Sequence, residues 1–121
     1  MERWRSSWRT LYPSSEEKIR KVLEAIETYK FAMEIQYDAL EKEKPTNVGE
    51  AMTIKIMKLK TMEVLDLMDN WKEKIEELMK EKTPDEVIEI IGHWIEFEKS
   101  AWNDYVSAFA KELERIIKGE K

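Results

Sequence analysis

Cysteine is absent from this 121-residue chain. No disulfide framework and no thiolate metal site is therefore available to it, and one class of covalent nucleophile is excluded. Histidine occurs once, at His93. Glu89 and Glu96 are its neighbours at helical spacing, but a di-iron bundle needs paired Glu-x-x-His helices, which a single histidine does not supply. Glycine and proline number three each, too few for a turn-rich sheet fold. No apolar run approaches the roughly 18 residues of a membrane span, and the N-terminus lacks the apolar stretch of a signal peptide. There is no Gly-rich phosphate loop and no Ser/His/Asp set. Acid pairs such as Glu16/Glu17 and Glu76/Glu77 sit in charged runs with nothing to desolvate them, so no acid/base pair for glycoside hydrolysis is supported. The expectation is a soluble protein that is not an enzyme, takes no cofactor, metal or small-molecule substrate, and is neither secreted through a signal peptide nor transmembrane.

What is present is charge, 39% of residues, distributed unevenly around a net of −5. Residues 1–12, MERWRSSWRTLY, hold Arg3, Arg5 and Arg9 against Glu2, a net of +2. The rest of the chain holds 18 basic and 25 acidic side chains, a net of −7. A basic segment on an acidic body is the pattern of an interaction arm. Heavy Lys and Glu usage points toward a thermophile, and seven methionines point away from one.

The chain divides into an extended or helical arm, residues 1–13, and an all-α body, residues 14–121. Pro13 closes off the arm, because it cannot donate into a helix begun upstream. Ser14-x-x-Glu17 fits a capping box and opens a first helix over about 15–43. Its apolar stripe is Ile19, Val22, Leu23, Ile26, Met33, Tyr37 and Leu40. Asn47-x-x-Glu50 opens a second helix over about 48–82, with Ile54, Met57, Thr61, Val64, Met68, Trp71, Ile75 and Leu78 on one seam. Met52, Ile56, Leu59 and Leu67 form a second apolar face, which predicts burial by more than one neighbour. Thr83-Pro84-Asp85-Glu86 opens a third helix running to about Lys118. Trp94 and Trp102 fall on its stripe and, with Trp71, are expected in the core or at a subunit contact. Gly92 marks a candidate bend or close crossing, and Ser100-Ala101 a candidate break. The fold expected is an elongated bundle of three long helices, or four if the third is broken. Wide apolar faces on its first two helices suggest closure against another subunit.

The arm admits three readings. Arginines beside Trp4 and Trp8 suit sequence-indifferent contact with nucleic-acid backbone, through bidentate phosphate bonds, counterion release and stacking. Alternatively the two indoles dock the arm onto the bundle, or the arm lies flat on an anionic membrane or granule surface. A second basic stretch, Lys55, Lys58 and Lys60, lies in a twelve-residue window without an acid and is either a second phosphate-binding surface or a solvated face.

The order of these features, ERWRSSWRTLYP followed by an all-helical body, resembles the major capsid proteins of filamentous and rod-shaped archaeal viruses. The resemblance implies an arm that wraps double-stranded DNA and paired subunits, identical or related, that assemble into a helical nucleoprotein filament holding DNA in the A form. It would give Arg3, Trp4, Arg5, Trp8 and Arg9 the DNA-clamping role and place the protein in a virion or the host cytoplasm. This arm departs from the pattern in its shortness and in carrying Glu2. A chain that only mediates protein interaction, as an adaptor or oligomerisation module, fits the same body without the arm contacting nucleic acid.

Overall fold

The computed structural model describes residues 14–119. They form four helices: α1 (Ser15–Lys42), α2 (Val48–Glu81), α3 (Pro84–Glu98) and α4 (Asp104–Ile117). Three of the starts are those the capping residues predict. The Ser14 hydroxyl accepts from the Glu17 amide at 3.2 Å, and the Asn47 side chain accepts from the Glu50 amide at 2.8 Å. At α3 the box closes in both directions: the Thr83 amide donates to the Glu86 carboxylate at 3.0 Å, and the Glu86 amide donates to the Thr83 hydroxyl at 3.3 Å. Each satisfies a donor that the first turn of a helix leaves orphaned.

The expected third helix is two helices. The interruption at Ser100–Asn103 comes from Asn103, whose side-chain oxygen caps α4 by accepting from the Tyr105 amide at 2.9 Å. Its amide nitrogen donates to the Lys60 carbonyl on α2 at 3.0 Å. The Ser107 hydroxyl donates to the Lys99 carbonyl at 2.8 Å and ties the new helix to the end of α3. Asn103 is wholly buried and takes the inward place. Trp102 is turned out and 70% exposed, so it does not belong to the chain's own core as its position on the stripe suggests. Gly92 lies within the unbroken helix α3 and not at a close crossing, since a Cβ added there meets nothing within 4 Å.

α1 and α2 form an antiparallel hairpin. Lys72–Glu27, Lys30–Asp69 and Lys58–Glu41 pair across it, at 2.5, 2.8 and 3.1 Å, in one unbroken register. α3 and α4 cover only part of its length. The core collects Ile19, Val22 and Ile26 of α1, Val64, Met68, Trp71 and Ile75 of α2, and Val87, Ile91, Ile95, Val106, Phe109 and Leu113 of the two shorter helices. At its centre Trp71 lies 5.4 Å from Trp94 and 5.7 Å from Phe109, ring centre to ring centre. The four-helix region ends at Thr61, whose buried hydroxyl donates to the Met57 carbonyl at 2.7 Å and accepts from Gln36 at 3.1 Å. Beyond it α1 and α2 continue alone as a two-helix projection, about 18 Å long on α2 at 1.5 Å per residue.

That projection overturns one expectation. Of the second apolar face of α2, Leu67 is partly buried against the core, but Met52, Ile56 and Leu59 are not covered by further neighbours among the described residues. Val48, Met52, Ile56, Leu59 and Met62 are all close to half exposed or more, Val48 at 76%. At 100° per residue they share one face, opposite the seam that meets α1.

Candidate interaction surfaces

Ser14 is where the arm joins the body. Ser15 at the start of α1 donates to the Asp85 carboxylate in the first turn of α3, so the junction lies beside the α2–α3 turn. The tip of the hairpin lies at the other end of α2, roughly 50 Å away for a helix of this length. Beside the junction is a groove of about 430 Å³, floored by Ile19, Leu23, Met79 and Val87 and edged by Glu16, Arg20 and Lys82. Arg3, Trp4, Arg5, Trp8 and Arg9, the arm residues singled out for phosphate contact, lie outside the described residues.

The second basic stretch lies on the projecting hairpin, far from that junction. Two of its three lysines are held by carboxylates of the same chain. Lys58 pairs with Glu41 and stands 5.7 Å from the centre of the Tyr37 ring. Lys60 bonds Asp104 at the N-terminus of α4 at 2.8 Å and stands 5.7 Å from the centre of the Tyr105 ring. The Asp104 bond holds the Lys60 ammonium above its ordinary pKa, and Lys60 in return holds Asp104 below the usual carboxylate range. Glu41 is held low by the Tyr37 hydroxyl and by Lys58. An ammonium committed to a neighbouring carboxylate offers less field to a phosphate. Lys55 is exposed and lies on the apolar face of α2.

Apolar side chains remain on both outer sides of the hairpin. One side is the α2 face; the other carries Phe31 and Ile35 of α1, 67% and 55% exposed. The sequence marks the α2 face as apolar, and nothing in the helical period alone marks it as uncovered. Asn103, the residue that orders the α3–α4 corner, went unrecognised in the sequence. The signal for it was an Asn directly before Asp104, a cap followed by an acid in the first turn.

His93 is exposed on α3. Among the described residues no three His, Asp or Glu side chains converge as a metal site, and no helix is long and apolar enough to cross a membrane. Comparison with protein-family models, with curated proteins and with solved structures finds no significant match.

Proposed function

We propose that this chain is a non-catalytic structural subunit that packages nucleic acid, gripping duplex DNA backbone with its N-terminal arm and assembling through its helical body. The observation that carries this reading is the division of the molecule into two unlike ends. A segment of net charge +2 joins a body of net charge −7 at one end, and the exposed apolar hairpin lies at the other. Guanidinium groups bind phosphate without reading sequence, and a polymer of subunits multiplies a few weak contacts into a firm grip. Apolar faces on two sides of the hairpin suit a subunit that meets more than one copy of itself, as a filament requires.

The test is filter binding of linear duplex DNA by the full chain across a salt series. If each arginine of the arm neutralises one phosphate, the slope of log affinity against log salt is about −3 per subunit. Replacing Arg3, Arg5 and Arg9 with alanine is expected to flatten the slope and remove most of the affinity. A full chain that retains no duplex at low salt, or an arm deletion that binds as well as the intact chain, overturns the reading. A second reading, an oligomerisation module without a nucleic-acid partner, is favoured by the pairing of Lys58 and Lys60 with acids of their own chain. Under it the same assay shows no retention, while self-association persists.

A further inference from the structure

We infer that the outer face of the first half of α2 docks a second copy of this chain, antiparallel, about a two-fold axis passing beside Leu59. This deepens the assembly half of the function proposed above and is independent of whether the arm holds nucleic acid. The face is apolar and large. Five side chains (Val48, Met52, Ile56, Leu59 and Met62) are 46% to 76% exposed along four turns of one helix. They present roughly 500 Å² per copy, in the upper part of the range of the largest apolar patch a monomer leaves open, and roughly 1,000 Å² across a pair, the threshold of a specific interface.

Charge selects the occupant. Laid antiparallel about Leu59, residues 48–58, with two lysines and one acid, face residues 60–70, with three acids and one lysine. Lys58, Lys60 and Asp69 are paired within their own chain, which leaves the exposed Lys55 on one copy and the exposed Glu63 and Asp66 on the other as the complementary charges of the face. Laid parallel, it sets like against like. A second copy of the chain is thus complementary in both respects, and an isologous pair closes on itself.

The same reasoning selects the register. A two-fold axis at Lys55–Ile56 would bring two Lys55 ammonium groups together. Centred on Leu59, the pairing sets Leu59 against its own copy, Ile56 against Met62, and Lys55 against Glu63. Glu63 and Asp66 are exposed on this face, and Glu63 accepts only one long bond within the chain, from the Asn103 amide at 3.5 Å.

The chain has no cysteine, so a single introduced thiol reports geometry cleanly. Leu59→Cys in the full chain, free of nucleic acid, is expected to form a covalent dimer under mild oxidation. Val48→Cys is expected not to, because in this register the two copies of residue 48 stand about 33 Å apart at 1.5 Å per residue. Sedimentation equilibrium of the unmodified chain is expected to show a dimer. Lys55→Glu and Glu63→Lys are each expected to weaken it about tenfold, and the two together to restore it. A chain that remains monomeric at about 100 μM, cross-linking of Val48→Cys at least as fast as Leu59→Cys, or two charge reversals that add instead of cancelling each overturns the proposal. Each of those outcomes is read without DNA, so it is distinguishable from the loss of arm-dependent, salt-dependent retention that overturns the nucleic-acid reading.

Discussion

Asn103 spends both ends of its side-chain amide inside the protein, the oxygen on the Tyr105 amide of α4 and the nitrogen on the Lys60 carbonyl of α2. Replacing it with alanine removes a helix cap and an inter-helix bond and leaves buried partners without a substitute. The expected cost is about 2–3 kcal/mol, read as a lower urea midpoint at fixed protein concentration. Asn103→Asp keeps the capping oxygen but turns a carboxylate toward the Lys60 carbonyl and Glu63, so it is expected to recover little. Ser14, Asn47 and Thr83 were legible as caps because each precedes an apolar period with a Glu three residues on. Asn103 lacks that spacing and sits within a run whose apolar period continues on either side. Its role depends on a carbonyl more than forty positions away, which no local pattern reports.

At the scale of single helices, the boundaries of α1 and α2 and the start of α3 follow from capping chemistry and from the stops at Pro45 and Pro84. α3 runs through Gly92 without using its freedom. A Cβ there meets open space, and the helix around it is regular, so Gly92→Ala is expected to stabilise the fold by about 1 kcal/mol, visible as a raised thermal midpoint. The ion pairs that join α1 to α2 share a register, but they are open to solvent, which screens them, so each adds little. The hairpin is therefore held chiefly by the core that Ile19, Val22 and Ile26 share with Val64, Met68, Trp71 and Ile75. The projection beyond Thr61, where Leu40 is the one buried apolar side chain, has the thinner support.

For the molecule as a whole, stability is expected to fall on acidification. Glu27 is held below its ordinary value of 4.5 by Lys72, Glu86 by the Thr83 amide and Glu114 by Lys99; Asp104 is held below 3.8 by Lys60. A depressed folded-state pKa adds stability that is present above the unfolded value and lost as pH falls through the folded one. Glu98, pushed up by burial and by Glu63, works in the opposite sense, and its burden is relieved as it protonates. The depressed carboxylates outnumber it, so the thermal midpoint, followed by circular dichroism, is expected to be steady near neutrality and to drop below about pH 4.5. A midpoint that rises between pH 5 and 3 would contradict this. The all-α class, three of the four helix starts, the arm's composition and the basic and acidic halves of α2 were determined by sequence alone, because capping, helical period and charge are properties of neighbouring residues. Which apolar stripe ends up inside was decided only by the tertiary structure. α2 carries two apolar faces of similar period; one meets α1, and the other lies open over 48–62, a stretch beside which α3 and α4, with 15 and 14 residues, do not extend. A helical period shows that a face is apolar, but how far its neighbours extend along it is a property of the packed molecule.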